Sequence, residues 1–390
     1  MNALRCGFAA GALLVPLLAG TPAASAGEAD PGTFLSKTSA GSTSHVAGAA
    51  RAIEIRYTTS TDAGKVVPAT GLVLVPEGQA PKDGWPLVVY GHMTTGAADR
   101  CAPTHGTPGH TELRRMQQGD DLARNLLKSG VALARPDYEG LGAPGGHPYL
   151  RGGSLGRSMV DMVSATRSVI PLSGQWVASG HSEGGVAALN VADKRRALVG
   201  GMTLKGVHAV TPVTQMEVLV RLLRPVPVAV QPVTGPLVAL AALILKGQSV
   251  EDPAFEQLAL NGGLSAKAKS IWGDLEKKCL NELSASHSWG GLAPARLLGA
   301  RGNELVKVAV GKLAEDDVRR LPLRDVPLRI DEGVIDEVAP VVFTEQLIQT
   351  YKSQGHDVQV GRWVAGHSDT NSAKNSVPAA TAWILKQLRR

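Results

Sequence analysis

Two hydrophobic rhythms run along the chain. Between Arg51 and Val75 apolar and polar residues take turns (Ile53, Ile55, Tyr57, then Leu72 and Leu74), the period of two that marks strands with one buried face. This predicts that the chain joins a sheet through antiparallel strands. Short apolar runs follow at Pro86–Tyr90, Val131–Ala134, Trp176–Ala178 and Leu204–Val210. Their unbroken hydrophobicity suits strands covered on both faces. Helical spacing lies between them at Leu122–Leu127, Ser158–Val169 and Gly184–Ala192. The alternation predicts a doubly wound α/β fold, a mostly parallel central sheet with helices on both faces.

After Val210 the rhythm breaks. About a hundred residues carry helical periodicity, with prolines at Pro225, Pro227, Pro232 and Pro236 and an apolar stretch from Pro236 to Leu245. We read an inserted helical cap over 213–322, dividing a core of 51–212 and 323–390. The apolar stretch falls short of the roughly 20 residues that span a bilayer, so it is expected to be a buried or interfacial cap helix. Strand patterns resume at Val326–Ile330 and Val358–Val364, and a last helix is predicted over Val377–Leu388. The Ser/Ala/Gly-rich segment 27–50 is expected to be flexible.

The first 26 residues read as an export signal: Arg5, an apolar run from Phe8 to Ala19, then the small residues Ala24-Ser25-Ala26. The mature chain would start at Gly27, secreted or periplasmic and without a stable transmembrane anchor. Cys6 falls in the signal, which leaves Cys101 and Cys279. In an exported chain two cysteines are most simply one disulfide, two free thiols being the alternative. Forty Lys and Arg against 34 Asp and Glu give a net charge of +6, but the charges are spread along the chain. No block of basic residues points to nucleic acid.

The run Ser179-Gly180-His181-Ser182-Glu183-Gly184-Gly185 places a serine between glycines, with a strand pattern before it and a helix pattern after it. Such a nucleophile elbow is so tight that the positions two before and two after the serine must be small. A serine hydroxyl needs a histidine to take its proton and an acid to hold that histidine's tautomer. On a fold of this kind the order is serine, acid, histidine. Asp336, after the strand at 326–330 and the turn glycine Gly333, is the expected acid, and Asp331 at the end of that strand is its rival. Asp325 and Asp357 read as solvated loop residues. His367, following the last strand, is the expected base; His356 precedes that strand, at the wrong end of the sheet. His181 is expected to shape the elbow. His105 and His110 lack any metal-ligand spacing, so no catalytic metal and no cofactor is expected.

Ester cleavage also needs two backbone N–H groups aimed at the developing oxyanion. Glu183, next after the nucleophile, would supply one. The loop after the early strand, Gly91-His92-Met93-Thr94-Thr95-Gly96, would supply the other from Thr94, with Met93 the alternative.

Taken together, Gly91-His92 with Thr94 and Gly96, Cys101-Ala102-Pro103, Asp137-Tyr138-Glu139-Gly140-Leu141-Gly142 and the elbow resemble the secretory lipase family of actinobacteria and yeasts. The resemblance runs from about Ile53 to the C-terminus and is weakest through the cap. It implies an α/β-hydrolase fold with a helical lid inserted before the acid, and cofactor-free hydrolysis of carboxylic esters, acylglycerols included. The triad it implies is Ser182, Asp336 and His367, and Cys101 would pair with Cys279 to tether core to cap. One position departs: where the family commonly has His-Gly-Thr, this chain has Met93. If that glycine uses a positive φ, Met93 is strained or the loop differs. The expected partner is a small or lipid ester, met at a lipid–water interface through the cap. Acyl transfer, aryl-ester, polyester or peptide hydrolysis would use the same triad, whereas a non-catalytic envelope binding protein would lack part of it.

Overall fold

In the computed structural model, which describes residues 29–389, the C-terminal ends of parallel strands gather along one edge of a sheet. The expected export signal lies outside the described residues. In chain order the strands are β1 (Phe34–Ser39), β2 (Ala49–Ser60), β3 (Val66–Pro76), β4 (Trp85–Gly91), β5 (Ala132–Pro136), β6 (Leu172–His181), β7 (Thr203–Val210), β8 (Leu328–Gly333) and β9 (Val358–Trp363). In space they run β1-β2-β3-β5-β4-β6-β7-β8-β9. The first three pairings are antiparallel, and every pairing from β5 to β9 is parallel.

The longer helices are α1 (Asp120–Lys128), α2 (Gly152–Arg167), α3 (Glu183–Val191), α4 (Met216–Leu223), α5 (Gln231–Ser249), α6 (Pro253–Leu258), α7 (Gly302–Glu315), α8 (Val341–Ser353) and α9 (Ser376–Leu388). Helices α1 and α9 cover one face of the sheet, where Leu122, Leu126 and Ile384 meet Leu74, Val88, Leu133 and Val177. On the other face α2, α3 and α8 bury Val73, Leu87, Val89 and Ala178. Successive side chains of one strand therefore enter two different cores, which explains the unbroken apolar runs. Each such Val or Leu contributes about 1.5–3 kcal/mol when fully buried.

Between β7 and β8 the chain leaves the sheet and forms α4 to α7 with several shorter turns. Helix α5 starts ahead of the apolar stretch and passes through Pro236, which deletes one hydrogen-bond rung without ending the helix. Among the described residues no helix is long and apolar enough to cross a membrane. A disulfide between Cys101 and Cys279, with Cα atoms 5.5 Å apart, ties the insertion to the core. The Arg151–Asp316 ion pair at 2.6 Å adds a second tie.

One expectation needs correction. The segment 27–50 is not flexible throughout, because Phe34–Ser39 pairs along β2 as an edge strand. Five of its six side chains are exposed and only Phe34 packs on the core, so its hydrophobic pattern carries no strand signal and backbone hydrogen bonds to β2 define it.

Candidate active site

Ser182 connects β6 to α3 with φ 59° and ψ −116°, a conformation that costs an L-residue energy and survives only where its surroundings enforce it. The glycines explain the enforcement. A Cβ at Gly180 would lie 2.0 Å from the Gly184 carbonyl oxygen, and one at Gly184 would lie 1.9 Å from that of Gly91. Any side chain at either place would force the turn apart. The Ser182 N–H donates to the Val210 carbonyl at 2.9 Å, holding the elbow against the end of β7.

His367 begins a short helical turn just past β9, and its Nε2 lies 2.8 Å from Ser182 Oγ. Its Nδ1 lies 2.8 Å from Asp336 Oδ2 and 3.0 Å from Oδ1. Asp336 Oδ1 also accepts the N–H groups of Val338 at 2.8 Å and Ala339 at 2.7 Å, so the loop after β8 fixes the carboxylate. Glu337 Oε2 accepts the His367 backbone N–H at 3.1 Å. The structure thus brings Ser182, His367 and Asp336 into one hydrogen-bonded chain.

It does not bring their rivals there. Asp331 is fully buried among four donors: Arg329 Nε at 2.8 Å and Nη2 at 2.7 Å, Trp363 Nε1 at 2.8 Å and His208 Nε2 at 3.0 Å. Burial alone would raise its carboxyl, but the hydrogen bonds from His208 and Arg329 and the Arg329 charge outweigh it and hold the carboxyl below the usual range. His208 Nδ1 in turn meets Ser179 Oγ at 2.9 Å, forming a second Ser-His-Asp chain inside the sheet that solvent does not reach. His356 packs edge-on against Tyr351, while Asp325 and Asp357 are exposed. His105 is exposed too, and His110 Nδ1 accepts the Glu112 N–H at 3.1 Å. Among the described residues no three His, Cys, Asp or Glu side chains cluster as metal ligands.

His181 lies beside the triad. Its Nε2–H donates to the His367 carbonyl at 3.1 Å, and the two rings are 5.1 Å apart. Burial, and then the nearby His367, push its pKa well below the ordinary histidine value, so it stays neutral. A neutral ring there adds no charge against a protonated His367.

Glu183 is the first residue of α3, so its N–H has no acceptor within the helix. Thr94 lies in the loop after β4, buried, and its N–H takes no backbone acceptor among the described residues. Met93 is buried as well and does not adopt a positive φ, so the loop carries the methionine without left-handed strain. Its carbonyl accepts His92 Nδ1–H at 2.7 Å, and the His92 carbonyl accepts the Tyr138 hydroxyl at 3.0 Å. Burial pulls the His92 pKa down, which keeps this support uncharged.

Sequence reasoning missed the ring of residues behind this loop. His147 Nε2 meets Glu183 Oε1 at 2.9 Å, and the Tyr149 hydroxyl meets Thr94 Oγ1 at 2.9 Å. Ser154 donates to Glu139, whose carboxyl burial pushes up to about 7. The Asp137–Gly142 motif marked this region, but no local signal names partners 36 and 55 residues away. Solvent access to the site is limited, with Ser182 only 5% exposed.

A family model described as Secretory lipase matches residues 111–389. Among solved structures, the closed state of Candida antarctica lipase A superposes with a TM-score of 0.75 at 16% identity, covering 92% of this chain and 82% of that one. The rice cell wall degrading esterase LipA from Xanthomonas oryzae, in a ligand-bound form, gives 0.68 at 19% identity, covering 92% and 97%. A putative hydrolase from Legionella pneumophila gives 0.66 at 17%, covering 87% and 89%. No curated protein sequence matches the chain. The likeness of architecture establishes an α/β-hydrolase fold, and the family match, spanning both the elbow and His367, shows that the chain belongs to the secretory lipase family.

Proposed function

We propose that this protein is an exported serine hydrolase that cleaves carboxylic esters through an acyl-enzyme. The observation that carries the reading is the continuous chain Asp336–His367–Ser182, with contacts of 2.8 Å at both links. Ser182 Oγ attacks the ester carbonyl as its proton passes to His367 Nε2, while Asp336 holds the ring and offsets its new charge. The oxyanion is met by the N–H groups of Glu183 and Thr94. Collapse expels the alcohol, which takes the proton from His367. Water then attacks the acyl-serine, with His367 again accepting the proton, and the acid leaves.

An apolar acyl chain suits the insertion. A cavity of about 80 Å³ lies there, lined by Val220, Leu237, Val238, Ala241 and Leu313. Leu313 also borders a smaller space of about 20 Å³ shared with Val186 of α3, whose N–H bonds the Ser182 carbonyl. Outside, Leu222, Val228, Val230 and Val233 are 47–64% exposed along the same insertion. An apolar rim of this kind favours contact with a lipid surface. The disulfide fits an oxidising compartment, in keeping with secretion.

The test is hydrolysis of p-nitrophenyl esters from about two to eighteen carbons, a span chosen to probe pocket depth, by the protein and by Ser182→Ala. Loss of activity in the variant is expected, with an optimum beyond the shortest acyl groups. Activity that survives the substitution would overturn the assignment.

A further inference from the structure

The segment His147-Pro148-Tyr149 takes no part in the steps above, yet it touches both residues whose amides would face the oxyanion. Its histidine reaches Glu183 and its tyrosine reaches Thr94, each at 2.9 Å. All four side chains are at most 4% exposed, so water does not compete for either contact.

The protons can be placed. His147 Nδ1 lies 2.9 Å from the Glu139 carbonyl, which only accepts, so Nδ1 carries a hydrogen. The contact between Nε2 and the Glu183 carboxyl then needs a further proton between them. Burial alone would discharge the ring, but the charge and hydrogen bond of Glu183 prevail and raise its pKa above the ordinary value. The result is a charge-assisted hydrogen bond on the first residue of α3. Burial raises the Tyr149 phenol far above its ordinary value, so it remains protonated. It shares one hydrogen bond with the Thr94 hydroxyl.

The segment is itself braced. Pro148 fixes one φ, and the Tyr149 N–H closes a tight turn onto the His147 carbonyl at 2.9 Å. A Cβ at Gly247 would lie 2.5 Å from the Tyr149 nitrogen, so the backbone of α5 rests directly on this turn.

We propose that His147-Pro148-Tyr149 is a positioning clamp for the oxyanion hole, its histidine fixing Glu183 and its tyrosine fixing Thr94, seated against the insertion at Gly247. The clamp rests on the serine-hydrolase reading. It touches no reacting atom, and its effect is on where the two amides point. Small displacements of such donors weaken transition-state binding and leave ground-state binding almost untouched.

The experiment compares Tyr149→Phe, Thr94→Val, the double variant and His147→Phe in steady-state hydrolysis of a soluble ester, with thermal unfolding of each. Tyr149→Phe and His147→Phe are each expected to lower kcat roughly tenfold with KM within about twofold. The double variant should be no slower than Thr94→Val, because the phenol acts through that threonine. A wild-type kcat in Tyr149→Phe, with or without a lower Tm, or losses that multiply in the double variant, would overturn the tyrosine arm; a wild-type kcat in His147→Phe would remove the histidine arm. Ser182→Ala separates the two readings. If it is inactive while both clamp variants are fully active, only the clamp fails, and if it stays active the serine-hydrolase reading fails first.

Discussion

Replacing either of two aspartates by asparagine should give opposite outcomes, for reasons visible in their hydrogen bonds. At Asp336, Oδ1 accepts the Val338 and Ala339 N–H groups and lies 3.0 Å from His367 Nδ1, whereas Oδ2 meets only that ring nitrogen, and more closely, at 2.8 Å. In Asp336→Asn the amide oxygen keeps the two loop donors, which places the NH₂ against Nδ1. An NH₂ 2.8 Å away favours a lone pair on Nδ1, moving the ring proton to Nε2. That nitrogen can then no longer take the Ser182 proton. A wrong-tautomer lesion of this type costs on the order of 10⁴ in kcat, about 5 kcal/mol of transition-state stabilisation. Stability should change by less than about 1 kcal/mol, since the loop donors stay paired. At Asp331 both oxygens already take two donors each. Asp331→Asn must aim an NH₂ at two of them and remove the charge facing Arg329, a loss of about 3–5 kcal/mol of stability. Its folded fraction should still turn over. The assay is initial-rate ester hydrolysis per folded molecule, paired with urea unfolding. An Asp336→Asn enzyme retaining more than about a tenth of the wild-type rate would refute the tautomer argument. So would an Asp331→Asn enzyme that unfolds normally but is inactive.

The remaining expectations are shorter. Ser179→Ala should leave the rate within about twofold and cost about 1–3 kcal/mol, because a buried His208 nitrogen loses its partner; a fluorophosphonate should modify Ser182 and never Ser179, as mass spectrometry of the digested protein would show. Cys279→Ser opens a tether between residues 178 apart, worth about 5 kcal/mol on a loop-entropy estimate. The Leu280 N–H bond to the Thr95 carbonyl adjoins that tether and would lose its support, so both unfolding midpoint and kcat should fall, and an unchanged midpoint would refute the tether. Burial raises Glu112 and Glu139 to about 7 and Asp161 to about 6, so the folded state holds protons the unfolded chain gives up nearer 4. Stability therefore falls as pH rises through that window, and the raised His147 pKa acts in the same direction. Below it, Asp62 and Asp274, held down by their Arg and Lys partners, lose their contribution as they protonate. Thermal unfolding from about pH 3 to 8 should show a maximum near about pH 4, where the two windows meet, and a Tm rising steadily toward pH 8 would contradict this.

The strands were legible wherever both faces are covered, as at Leu87-Val88-Val89, because adjacent residues there enter different cores. Strand β1 was not, since an edge strand with exposed side chains is defined by hydrogen bonds to β2 and needs no hydrophobic period. Helix α5 was legible from its apolar stretch but not in its start, as the prolines that argue for a boundary lie within its first turns. Ser182 could be read because a tight turn demands glycines at fixed local spacing. Choosing Asp336 over Asp331 was a matter of place, after the turn rather than in the strand, and the geometry supplies the reason: Asp331 already has a full set of donors. Tyr149 carried no signal, because its importance lies in a partner on another loop, 55 residues away.

Parallel pairing accounts for why the candidate site and the insertion occur together. Strands β4, β6, β8 and β9 run the same way, so their C-terminal ends bring Thr94, Ser182, Asp336 and His367 to one edge of the sheet. The insertion departs from the end of β7 at that same edge, and the Val210 carbonyl at its root holds the Ser182 N–H. The same placement lets the insertion touch the loop after β4 directly, through Leu280 on Thr95, and the turn that carries Tyr149 through Gly247. A displacement of the insertion would therefore be felt at Thr95 directly and at Thr94 through the Tyr149 hydroxyl.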